Sequence, residues 1–76
     1  MKVVFTRHAQ QRMIQRKVSP EQVFETIEFP DDVTIGESGE TVAVKNYGNR
    51  EVRVAYELRD PDTAIIFTVM NPRVHW

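Results

Sequence analysis

The stretch "VSPEQVFETIEFPDDV", Val18 to Val33, decides how this 76-residue chain divides. Ser19 is an N-cap residue, Pro20 takes the first helical position, and Gln22 stands three residues past the cap. A serine hydroxyl there accepts from a free N–H of the first turn, and the glutamine side chain reaches back to the N–H of the cap. Proline has no N–H to leave unsatisfied. Val18 is placed to pack on Val23 as a hydrophobic staple, and Val23, Phe24 and Ile27 repeat at helical spacing. Pro30 ends the helix, which is expected over Pro20 to Phe29. Past Val33 the apolar residues alternate, so the chain turns from helix to strand.

Working outward toward the N-terminus, "FTRHAQQRMIQR" (Phe5–Arg16) reads as a first helix. Thr6 supplies its cap and good helix formers carry it to about Lys17. Val3 to Phe5 before it is a short apolar run, a first strand or an extended lead-in.

Toward the C-terminus, Val33 to Ile35 and Thr41 to Tyr47 flank the turn "ESGE", and "YGNR" makes the next turn. Val52, Val54, Tyr56 and Leu58 then share one strand face, with Glu51, Arg53, Ala55 and Glu57 on the other. After "RDPD", Ala64 to Met70 sets Ile65, Phe67 and Val69 against Ile66, Thr68 and Met70, and "NPRVHW" is a tail. Short turns force antiparallel neighbours. The expected fold is therefore α+β in a single domain over residues 1–76, with two N-terminal helices packed on one face of an antiparallel meander sheet of about four strands. Ala55, Ile66 and Met70 are expected near the open face of that sheet, covered by Val74 and Trp76 of the tail or by a partner, a second copy included.

Composition narrows the function. The net charge of −1 argues against a general nucleic-acid binder. Its distribution is uneven: Lys2, Arg7, Arg12, Arg16 and Lys17 open the chain without an acid between them. Glu21, Glu25, Glu28, Asp31, Asp32, Glu37 and Glu40 follow without a base. With no cysteine there is neither a disulfide nor a thiolate metal site. No apolar run approaches the roughly 20 residues of a membrane span, and "MKVVFTRH" lacks the long apolar stretch of a signal peptide. A soluble, cytoplasmic protein is expected. The two histidines lie at opposite ends of the chain and the carboxylates are scattered, so no metal or other cofactor is expected.

With about 100° between successive helical residues, Ala9 and Met13 face the core and His8, Arg12 and Arg16 form a stripe on the rim beside them. Arg7, Gln10, Ile14 and Lys17 then point outward. A helix N-terminus favours phosphate, a neutral imidazole can serve as a general base, and guanidiniums can clamp a phosphate bidentately. Cleaving RNA through its own 2′-hydroxyl needs that combination and no metal. The same stripe also fits a solvated face, or a helix paired with Glu21, Glu25 and Glu28, each exposed pair contributing roughly 0 to 1 kcal/mol. Arg53 fits a ladder with Glu51 and Glu57, Tyr56 fits the core with its hydroxyl at the rim, and Thr68 fits strand propensity alone.

The run Phe5 to Val33 resembles a small bacterial and archaeal domain family that opens F-T-x-H-A-x-x-R-M-x-x-R, continues into a Ser-initiated helix and closes it with a proline-acid turn. "REVRVAYEL" (50–58) and "AIIFTVMNP" (64–72) look like its later strands. That family is grouped by similarity with the RelE and BrnT toxins, ribonucleases of toxin-antitoxin pairs. The resemblance implies a RelE/BrnT-like fold, RNA as substrate and an antitoxin-like protein as partner. It further implies a metal-free site with His8, Arg12 and Arg16 on the helix and, less distinctively, Tyr56 and Thr68 on strands; Arg7 and Arg53 are expected as further substrate-binding cations. Three readings stay open: such a ribonuclease, a binding module that holds a protein or its own copy, and a domain whose basic helix only neutralises its acidic neighbour.

Overall fold

The computed structural model describes residues 1–48 and 50–70. Strand β1 (Lys2–Phe5) leads into helices α1 (Arg7–Arg16) and α2 (Pro20–Glu28), followed by β2 (Asp32–Ile35), β3 (Thr41–Asn46), β4 (Glu51–Asp60) and β5 (Thr63–Met70). The strands form one sheet in the order β1-β5-β4-β3-β2. The pairs β2/β3, β3/β4 and β4/β5 are antiparallel, as their tight turns require, whereas β1 lies parallel to β5 with Val3 beside Ala64 and Phe5 beside Ile66.

This corrects the expected four-strand antiparallel meander with N-terminal helices. The sheet is mixed and five-stranded, and the helices follow a strand. The reason lies in Val3 to Phe5. Their N–H and C=O groups are satisfied by a strand some sixty residues further on: Lys2 N–H donates to Asp62 C=O at 2.6 Å and Thr6 N–H to Ile66 C=O at 3.2 Å. Returning the chain to a parallel neighbour takes a long crossover, which α1, α2 and the hairpins supply.

Both helices are capped as their sequences dictate. The Thr6 side chain accepts from Ala9 N–H at 3.1 Å and donates to Ile66 C=O at 2.9 Å, so one hydroxyl starts α1 and ties it to β5. Ser19 and Gln22 form the reciprocal capping box of α2. Between the helices, Lys17 takes the left-handed conformation (φ 54°), with Val18 N–H on Met13 C=O and Lys17 N–H on Ile14 C=O. That is a Schellman stop built without glycine, and its apolar pair, Val18 and Met13, is buried.

Helix α1 lies over β5 and β1, and α2 over β4 and β3. Ala9, Met13, Val23 and Ile27 pack with Val52, Val54, Ala64, Ile66 and Val69 into one core. Ile66 was expected on the open face, but it is fully buried among these residues. The cause is a bulge. Ala55 pairs with Thr68 while the next residue, Tyr56, pairs with Ile66, so Phe67 has no partner and the phase of β5 flips there. The open face therefore carries Val4, Ile65, Thr68 and Met70 with Val42, Val44 and Ala55. The expected cover by Val74 and Trp76 lies outside the described residues.

The two caps differ in reach. Ser19→Ala removes a cap alone and is expected to cost about 1 kcal/mol. Thr6→Ala also removes the bond to β5 and is expected to cost about 2 kcal/mol. Urea denaturation measures both, and equal losses would show that the β5 bond contributes nothing.

Candidate functional site

The stripe on α1 is built by Thr6, which fixes where the helix starts and so which way its residues point. Arg7 and His8 fall in the first turn, which contains no acidic residue. This is the reverse of the usual arrangement, since the positive end of the helix dipole disfavours cations there. His8 is exposed and Arg12 half-buried. Arg12 Nε donates to His8 Nε2 at 3.4 Å and Arg12 Nη1 to Gln15 Oε1 at 2.9 Å. The weak Nε bond leaves the imidazole and guanidinium side by side, with donors still open toward solvent.

Among the described residues neither Arg7 nor Arg12 pairs with a carboxylate of α2. The acidic helix uses Glu25 elsewhere, on the Tyr47 hydroxyl at 2.8 Å. Burial, and then the bond to Glu25, push the Tyr47 hydroxyl above its usual pKa of 10. Arg16, half-buried in the last turn, completes the row His8, Arg12, Arg16.

Arg50, at the start of β4, was not among the residues expected from sequence. Its Nη2 donates to the C=O of Arg16 at 3.4 Å and of Lys17 at 3.2 Å. A guanidinium on the free carbonyls of a helix C-terminus is favoured by both hydrogen bonding and the dipole. It also brings a further cation to the end of the stripe. Nothing local in "YGNR" announces this, because the partners are more than thirty residues away.

The strand residues expected to join the stripe do not meet it. Thr68 sits opposite Ala55 on the open face of the sheet, the side away from the helices. Arg53 is exposed on that same face and paired with Glu51. Tyr56 is on the helix side but packs half-buried against the core opposite Ile66, and no hydrogen bond among the described residues links it to His8 or Arg12. Thr68 shares the open face with Met70, across the bulge from the core-facing Ile66. The site is thus a helical one, His8, Arg12 and Arg16, while Arg7 points outward from the first turn. Among the described residues no group of three or more His, Cys, Asp or Glu is arranged to hold a metal ion, and no helix is long and apolar enough to cross a membrane.

Over residues 5–71 the sequence matches the family model described as a domain of unknown function, DUF4258. The chain belongs to that family. The match begins one residue before Thr6 and includes every residue of the stripe, so the site belongs to the DUF4258 domain itself. No curated protein and no solved structure matches the chain.

Arg50→Met keeps an unbranched apolar stem and removes the donors, and is expected to destabilise by about 1 to 2 kcal/mol. Urea denaturation at neutral pH checks it. Tyr47 gives a pH test. A phenol with a raised folded-state pKa contributes stability that is complete below pH 10 and is lost as pH rises through the raised value. Denaturation at pH 8 and pH 11 is expected to show that loss in the wild type and a smaller one in Tyr47→Phe.

Proposed function

We propose that this DUF4258 domain cleaves RNA without a metal, in the manner of the RelE and BrnT toxins with which the family it resembles is grouped. One observation supports the reading: His8 and Arg12 stand together, with no carboxylate paired to them among the described residues, in the first two turns of a helix whose N-terminus holds no acid. A phosphodiester satisfies all of these groups at once. Its charge complements the dipole and the guanidinium, and its geometry suits a bidentate arginine.

In this reading His8 takes the proton of the ribose 2′-hydroxyl, and the 2′-oxygen forms a bond to phosphorus. The bond from phosphorus to the 5′-oxygen breaks, and the leaving oxygen takes a proton from water. The products are a 2′,3′-cyclic phosphate and a 5′-hydroxyl. Arg12 and Arg16 stabilise the charge that builds on the phosphoryl oxygens, and Arg7 adds attraction for the chain of phosphates. Tyr56 and Thr68 take no part, because the fold holds them away from the stripe. The net acidity of the chain fits a short RNA contact confined to α1 better than a long one, since every further phosphate would approach the acidic block. An antitoxin-like partner in this reading is a protein that covers the stripe with carboxylates.

The test uses a short RNA and the same strand with a single 2′-deoxy position at the cut. Wild type is expected to cleave the first and not the second. His8→Ala is expected to lower the rate about 10²- to 10⁴-fold, the range for a lost general base. Its unfolding midpoint should stay unchanged, because the side chain is exposed. Arg12→Ala is expected to lower the rate as well. Purified wild type that cleaves no RNA, or His8→Ala that cleaves at the wild-type rate, removes the proposal.

A further inference from the structure

The side of α1 opposite the His8 stripe borders a groove that the RNA reading does not use. Strand β1 is an edge of the sheet, and Val3 and Phe5 form the groove's floor. One half, of about 630 Å³, is lined by Phe5, Met13, Ile14, Lys17, Val18 and Pro20, among others. The other half, of about 490 Å³, is lined by Met1, Val3, Phe5, Pro20, Phe24 and the carboxylates Glu21 and Glu25. Phe5 and Pro20 line both halves, so the two are one continuous channel. Three large apolar side chains stand open along it: Ile14 at 79% exposure, Met1 at 48% and Phe24 at 40%. An apolar strip of this kind on so small a domain marks a surface that something covers.

Its charges say what. The Ile14 half carries Lys17, and the Phe24 half carries Glu21 and Glu25. A two-fold axis through the shared Phe5 and Pro20 reverses the direction of the groove, so the Lys17 half of one copy faces the Glu21 half of the other. The apolar middles then meet, and Ile14 of each copy enters the groove of its mate. A surface complementary to its own reversed image is what a closed two-fold interface requires. The same packing covers the outer edge of β1, which has no strand neighbour among the described residues and would otherwise offer a template for strand addition. We propose that a second copy of this chain occupies the groove, giving an isologous dimer through α1, β1 and the start of α2. His8 and Arg12 remain on the outer sides of the dimer, and the open sheet face takes no part.

Sedimentation equilibrium of the full chain from micromolar to millimolar concentration tests this. Wild type is expected to be a dimer. Ile14→Glu is expected to weaken association at least about tenfold, with an unchanged circular dichroism spectrum because the side chain is mostly in solvent. Lys17→Glu is expected to weaken it too, and Lys17→Glu combined with Glu21→Lys to restore it, since the double change exchanges the poles. Ile65→Glu, on the open sheet face, is expected to leave the dimer intact. The proposal is overturned by a wild type that is monomeric throughout. It is equally overturned by an Ile14→Glu variant that dimerises as tightly as wild type, or by a dimer that Ile65→Glu breaks.

Discussion

The parallel pairing of β1 with β5 is the constraint on which the rest of this structure depends. Four residues at the start of the chain are held against a strand near its end, and the Thr6 hydroxyl closes the join by bonding Ile66 C=O while capping α1. Because the cap and the strand contact are the same atom, the helix has little freedom to rotate or slide. Its phase is set by β5. Ala9 and Met13 then enter the core, His8 and Arg12 are left at the rim, and Ile14 and Lys17 turn to the far side. Without that pairing α1 would be a ten-residue helix of marginal intrinsic stability.

The bulge at Phe67 is the second constraint, and it bears on function directly. On β5, strict alternation would put Ile66 with Thr68 and Met70 and leave the core to residues 65, 67 and 69. One extra residue instead lets both Ile66 and Val69 enter the core, two large aliphatic side chains with complete burial. The gain is apolar burial on the order of 2 kcal/mol per side chain. Thr68 stays with Met70 on the face away from α1 while Ile66 leaves that face, so among the described residues His8, Arg12 and Thr68 do not form one site.

What was legible in the sequence was local. Ser19, Pro20 and Gln22 give their helix start within four residues, and Thr6 gives the other. The hairpin turns at "ESGE", "YGNR" and "RDPD" are equally short-range signals, and every strand they join is present. What was not legible is what depends on distant partners. The parallel partner of Val3 to Phe5 and the docking of Arg50 on the end of α1 each join residues more than thirty positions apart, and the bulge at Phe67 depends on how β5 registers against β4. A single residue inserted in register moves every following side chain to the other face, so one unseen bulge was enough to misplace Ile66. For the site, the helical spacing of His8 and Arg12 was readable because it is local, and the separation of Tyr56, Thr68 and Arg53 from them was not.

The charge pattern takes its meaning from the same geometry. Adjacent basic and acidic blocks invite the reading that two neighbouring helices neutralise each other. Yet α1 lies over β1 and β5 while α2 lies over β3 and β4, and the acid of α2 that forms a strong bond turns to Tyr47. Cations in the first turn of α1 are therefore left at the positive end of a helix dipole, and carboxylates line one half of a groove whose other half carries Lys17. The first of these does not lower the energy of the isolated chain. Exposed charge set against its own field costs a fraction of a kcal/mol to about 1 kcal/mol per group, which a 76-residue domain with a thin core tolerates only in small number. The proposed phosphodiester on one side of α1 and the proposed reversed copy of the groove on the other are each a surface of opposite charge that these groups would meet.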